Sequence, residues 1–141
     1  QSALAGGMPR WKWLANRGLT TFENALLGAG LSEYHTGYRA FSARALRALP
    51  LAENRNDFVF DNEVLAQAIH LGLPIGELSC PAHYFEEMST ITFWPGVKYG
   101  LGVLGTTARL RLHRAGLRRD ASFAANGRGL DDWHEGAAVA P

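Results

Sequence analysis

A single cysteine, Cys80, is the only thiol in this sequence of 141 residues. It excludes an internal disulfide framework and leaves too few thiolates for a structural zinc site, while remaining compatible with a reducing compartment. An excess of either charge is missing as well. Fourteen Lys and Arg stand against 13 Asp and Glu, a formal charge of +1, so no global field favours nucleic acid or an anionic membrane. No uninterrupted apolar run reaches the roughly 18–20 residues needed to cross a bilayer. The opening QSALAGGMPRW has neither the basic start nor the apolar run of a signal peptide. Zinc-ligand spacing, a glycine-rich phosphate loop, a serine nucleophile elbow and paired cysteines are all lacking. Any chemistry must therefore rest on scattered polar clusters.

What is plentiful is core material. Hydrophobic residues make up 47% and aromatic residues 11%, which suits one ordinary domain better than a disordered chain. No Met stands at position 1 and the first ten residues read as loop. The chain is therefore expected to be the interior or C-terminal part of a longer protein.

Apolar side chains at Trp13, Leu14, Leu19, Phe22, Leu26 and Leu27 recur at helical spacing and predict a helix from Trp11 that stops at Gly28 and Gly30. Its basic start, Arg10, Lys12 and Arg17, leaves two readings: a core-packing helix, or one lying along a membrane surface. Ser42 predicts the cap of a short helix ending before Pro50. Phe58 to Phe60 read as an extended buried run. Asp61 or Asn62 then caps a helix carrying Val64, Leu65, Ala68, Ile69 and Leu71, which Gly72 ends. Residues 74–80, PIGELSC, read as a strand, which gives an α/β unit. A second amphipathic helix is expected over 94–113, with Val97, Leu101, Leu104, Ala108 and Leu112 on one side. Arg109, Arg111 and Arg114 crowd the end where cations favour the helix dipole. The expected domain covers 1–117, and 118–141 reads as a disordered tail.

Four clusters carry chemistry. Residues 32–42, SEYHTGYRAFS, combine Gly37 for a tight turn with the planar fork of Arg39, suited to phosphate oxygens. His35 and Thr36 can donate to the same anion; the alternative is a tyrosine-rich loop satisfying itself. Residues 57–67, DFVFDNEVLAQ, put Asp61 and Glu63 at a helix start. Either Asp61 merely caps, or Glu63 faces a cleft as proton acceptor or partner of Arg39. Residues 83–90, HYFEEMST, read as a loop closing on a polar ligand or as a solvated connection. Arg17 is the fourth, a surface charge or a phosphate contact.

Taken in order, GGMPRWKWLANR, LSEYHTGYRAFS, NDFVFDNEVLAQA, PIGEL and HYFEEMSTITF resemble the C-terminal half of family 2 glycosyltransferases. The nearest group is the dolichol-phosphate or polyprenol-phosphate sugar transferases, and the likeness covers about residues 6–117. The resemblance implies an α/β chain, the C-terminal part of a GT-A type nucleotide-diphospho-sugar transferase fold, helix-rich with few strands. It implies transfer of a sugar, with inversion, from a nucleotide-sugar donor to a polyprenyl phosphate. Gly37, Tyr38 and Arg39 match the segment that approaches the reacting phosphates, and Arg17 matches an arginine that meets acceptor or donor phosphate. Asp61 and Glu63 match the acid-bearing helix start. Tyr84 to Ser89, with Glu86, Glu87 and Ser89, resembles the loop that orders over acceptor. His83 stands where the family often has arginine, so its charge varies with pH. The implied Mg2+ or Mn2+ would be held by an Asp-x-Asp motif, and this chain contains none; Asp131-Asp132 is the nearest approach. The chain alone is thus expected to be inactive. Its implied place is cytoplasmic, peripheral at the inner face of the plasma membrane, with no nucleic-acid partner.

Overall fold

The computed structural model describes residues 7–35, 38–79 and 93–132, Phe93 by its backbone alone. The helices are α1 (Arg10–Leu27), α2 (Ala43–Ala48), α3 (Phe60–His70) and α4 (Phe93–Arg114), with 3-10 turns at Leu51–Glu53 and Ala121–Phe123. Helix α3 lies at the centre. Every residue from Asn62 to Ala68 is buried, and only a helix covered all round buries an unbroken run. Helices α1 and α4 and the turn at Ala121–Phe123 supply that cover. Leu27, Tyr34, Leu65, Ala66, Leu110 and Phe123 form one core cluster, and Leu49, Leu51, Val64 and Ala68 a second.

Helices α1 and α4 run in the same direction. A methyl group added at Gly100 would lie 3.9 Å from Leu19. Further along both helices, Arg114 Nη1 donates to the Leu27 carbonyl at 2.8 Å and Arg111 Nη1 to the Leu26 carbonyl at 3.3 Å. The last carbonyls of a helix have no partner within it. Here α4 supplies that partner to α1, so these two arginines serve a neighbouring helix end as well as the end of their own. Gly28, at φ +73°, closes α1 in the left-handed conformation.

Several local expectations agree with the structure. Ser42 accepts from the Ala45 amide and starts α2, and Gly72 follows α3 at φ +65°. Others do not. Val59 is helical at φ −86°, ψ −11°, so Phe58–Phe60 is not extended, and Phe58 is exposed. The start of α3 is set by Asp57, whose carboxylate accepts from the Val59 amide at 2.8 Å, rather than by Asp61 or Asn62. Residues 73–79 form no strand, and no strand occurs among the described residues. A strand exists only through a paired neighbour; here Glu77 instead accepts from the amide and hydroxyl of Ser32 at 2.9 and 2.7 Å. In α4 the buried face is Val103, Thr106, Thr107 and Leu110, and most of the expected apolar stripe faces outward, with Val97, Leu101 and Leu112 exposed, Leu101 by 64%.

The tail is the largest correction. Residues 118–132 fold back over the second core cluster rather than lying disordered, and Asp120, Ser122 and Phe123 are buried. The Ala52 amide donates to the Arg128 carbonyl at 3.1 Å. A Cβ at Gly127 would meet the Ala121 carbonyl at 2.5 Å and Pro50 at 2.6 Å. No side chain fits there.

Candidate functional site

Residues 31–35 and 38–41 cross the start of α3, and Asn24 ties Leu31 and Tyr34 to α1. Its side chain donates to the Leu31 carbonyl at 2.8 Å and accepts from the Leu31 amide at 3.0 Å. It also accepts from the hydroxyl of the fully buried Tyr34 at 2.9 Å. With Tyr34 locked in, Arg39 is pinned between two elements. Its Nη1 donates to the Asp61 carbonyl and its Nη2 to the Tyr34 carbonyl, the latter at 2.5 Å. Both acceptors are backbone carbonyls, and together they fix the orientation of the guanidinium. Burial lowers the Arg39 pKa, opposed by the neighbouring acidic groups Asp61, Tyr99, Glu23 and Glu33. Tyr38, beside it, is exposed.

Beneath this corner lies a buried polar group drawn from three helices and the crossing segment. Glu23 of α1 and Asn62 of α3 are buried, and Asn62 Nδ2 donates to Glu23 Oε1. The other oxygen, Oε2, faces His35 Nε2 at 3.4 Å. His35 Nδ1 lies 3.0 Å from the Tyr99 hydroxyl of α4. Among the described residues Asn62 Oδ1 and Thr20 Oγ1 are buried with no hydrogen-bond partner, and Glu23 Oε2 and His35 Nε2 have only each other, at 3.4 Å. An unsatisfied buried polar atom costs about 1–3 kcal/mol, so such a group marks a place shaped by something besides stability. Burial pushes Glu23 up to about 7, against the stabilising Asn62 bond. Burial, then the charge of Arg39, pushes His35 down to about 4. Tyr99 is raised to about 12 by burial and by Glu23.

The expected site residues divide accordingly. Arg39, His35, Tyr38 and Asp61 come together, Asp61 through its backbone carbonyl. Glu63 does not join them. Its buried carboxylate accepts from the Arg55 amide at 2.8 Å, from Arg55 Nε at 2.9 Å and from Arg109 Nη1 at 2.9 Å. Arg109 goes on to Asp120 at 2.7 and 3.0 Å, holding that carboxyl down to about 2. Glu63 therefore braces α3 against α4 and the tail, and its partner is not Arg39. Arg17 is exposed on α1, and among the described residues no bond joins it to the Arg39 corner. Thr36, Gly37, His83, Tyr84, Glu86, Glu87 and Ser89 lie outside the described residues.

Glu23, Asn62 and Tyr99 were not among the residues expected from the sequence. One signal pointed to Glu23. It shares the buried face of α1 with Thr20 and Leu27, and a carboxylate at a core position of an amphipathic helix departs from the pattern. Nothing in the spacing of Tyr99 marks it out.

No family model matches this chain, and no curated protein and no solved structure matches it. The resemblance rests on the quoted residues and their order.

Proposed function

We propose that this chain is the acceptor-side part of an inverting family 2 glycosyltransferase, of α/β GT-A type, that moves a sugar from a nucleotide donor to a polyprenyl phosphate. The observation that supports this best is Arg39, whose guanidinium is oriented by the backbone carbonyls of Asp61 and Tyr34 at the start of α3, beside the exposed Tyr38. In such a transfer an oxygen of the lipid phosphate bonds to the anomeric carbon as the bond to the nucleotide diphosphate breaks. The nucleophile is already an anion and needs no general base; what it needs is a cation that orients it. Arg39 has that role here, with His35 below it and Arg17 as an outlying charge that meets phosphate on approach. Asp61 positions Arg39, and Glu63 keeps α3 in place. A Mg2+ or Mn2+ ion would offset the charge of the leaving diphosphate. Among the described residues no group of three or more His, Cys, Asp or Glu could hold it, so its ligands would come from outside them.

In the complete enzyme, Arg39→Ala lowers turnover at least tenfold with farnesyl phosphate as acceptor. Unchanged turnover in a variant with unchanged melting removes Arg39 from the reaction.

The outward apolar stripe of α4, with Trp13 and Leu14 of α1 also exposed, favours a second reading, a non-catalytic module that binds a membrane surface or a partner. No described helix is long and apolar enough to cross a membrane. Flotation with vesicles separates the two readings through its dependence on sugar nucleotide: the module binds without it, and the transferase binds more tightly in its presence.

A further inference from the structure

The buried group under Arg39 has a direction as well as a composition. Glu23 Oε1 accepts from the Asn62 amide, so a proton on this carboxyl belongs on Oε2, which faces His35 Nε2 at 3.4 Å. A neutral imidazole carries one N–H, and whichever nitrogen lacks it must accept. With Glu23 protonated, Oε2 donates to Nε2, the imidazole proton sits on Nδ1, and Nδ1 donates to the Tyr99 oxygen 3.0 Å away. The Tyr99 hydroxyl proton then has to point elsewhere. With Glu23 ionised, the imidazole proton moves to Nε2, Nδ1 becomes the acceptor, and Tyr99 turns its own proton onto His35. Each state is balanced and they differ by the one proton lost from Glu23.

We infer that Glu23, His35 and Tyr99 form a proton-ordered chain in which a protonated Glu23 turns the Tyr99 hydroxyl outward to donate to an anion held at Arg39. Glu23 and His35 are positioning residues, and Tyr99 is the added ligand contact. The charged and titratable groups facing the chain are Glu33, Tyr34 and Arg39 from the crossing segment, Asp61 from α3 and Tyr99 itself from α4. Glu23 changes state at about 7, whereas His35 stays neutral down to about 4, so near neutrality Glu23 alone throws the switch. The donating state lies on the acid side.

The inference rests on the anion-binding reading of Arg39, and two measurements keep the pair distinct. The first is the 15N spectrum of the His35 ring between pH 5.5 and 8.5, in the whole chain. The proton is expected on Nδ1 at the acid end and on Nε2 at the alkaline end. In Glu23→Gln the side-chain amide donates to Nε2 at every pH, so the proton stays on Nδ1 throughout. The second is sulfate binding, chosen because sulfate does not titrate in this range. A bond to a charged ligand corresponds to about a tenfold gain, so sulfate should bind about tenfold tighter at pH 6 than at pH 8. Glu23→Gln should remove the pH dependence at the tight level, and Tyr99→Phe should remove it at the weak level while leaving the His35 tautomer change intact. A His35 proton that stays on one nitrogen in the wild-type chain overturns the relay, whatever sulfate does. A tautomer change with sulfate binding indifferent to Arg39→Ala upholds the proton order and removes the anion reading above it. Sulfate affinity that keeps its pH slope in Tyr99→Phe overturns the role of Tyr99.

Discussion

Glu23 and His35 occupy one buried space, yet their burial acts on pH stability in opposite senses. Glu23 passes from 4.5 to about 7 on folding. Between those values the native state holds more protons than the unfolded chain, so stability falls as pH rises and levels off above about 7. His35 passes from 6.5 to about 4. There the unfolded chain holds more protons, so stability rises across the window from about 4 to 6.5. The two slopes offset each other over most of that range, and the melting temperature of the wild-type chain should be nearly flat from about pH 4.5 to 6.5. Replacing one partner exposes the other. Glu23→Gln should melt at rising temperature from pH 4 to 6.5, and His35→Gln at falling temperature from pH 4.5 to 7, each spanning on the order of a few kcal/mol. Thermal melts at half-unit pH steps check this, and parallel curves for both variants would refute the opposition. Asp120 adds an acid limb. Arg109 holds it at about 2, below its ordinary 3.8, so its contribution is complete above about 4 and disappears as pH falls through 2.

At the scale of the element, the helices were legible because their signals are local. The 3.6-residue period, the cap at Ser42 and the glycines after α1 and α3 depend on a few neighbouring side chains, and the structure agrees with them. The orientation of α4 was not legible. Its two sides are both mixed, and Thr106 and Thr107 go inward because Arg55 donates to the Thr106 hydroxyl at 3.2 Å and the Thr107 hydroxyl bonds the Val103 carbonyl at 3.0 Å. A partner as distant in sequence as Arg55, 51 residues from Thr106, cannot be read from a period. The strand expected at 74–80 is absent over the described residues 74–79 for a related reason: pairing is a property of two segments. The close approach of α4 to α3 is similarly non-local. A Cβ on Gly102 would lie 2.5 Å from Val59, so Gly102→Ala should cost about 1–3 kcal/mol through overpacking despite the better helix propensity of alanine. Denaturant melts of Gly102→Ala and of Gly105→Ala, where nothing lies nearby, provide the comparison; equal stabilisation of both would show that α4 has room at Val59.

Across the whole molecule the tail is a structural member. Asp120, Ser122 and Arg128 bond to residues of α4, of the turn at Leu51–Glu53 and of its neighbours, and Phe123 completes the core cluster with Leu65 and Leu110. Its composition of glycine, alanine and charge gave no hint of this, because the bonds are made by a few residues spread through a polar stretch. Ending the chain at residue 117 should abolish the cooperative transition and the near-ultraviolet circular dichroism while part of the helical signal survives. A truncated chain that melts as sharply as the whole one would return the tail to the status of an appendage. The site itself was half legible: Arg39 and His35 stood out, whereas the acid beneath them was hidden in a helix that otherwise reads as apolar.

Seen during synthesis, the same tail sets an order of events. Gln67 donates to the Ser122 carbonyl, 55 residues further on, and Glu53 accepts from Arg128, 75 residues further on. At translation rates of about 5–20 residues per second, the centre of the fold exists for several seconds before its partners have been made. Throughout that interval Glu63 and Gln67 keep their water, the second core cluster stays open on one side, and a nascent chain of this sequence is a client for whatever binds exposed apolar surface.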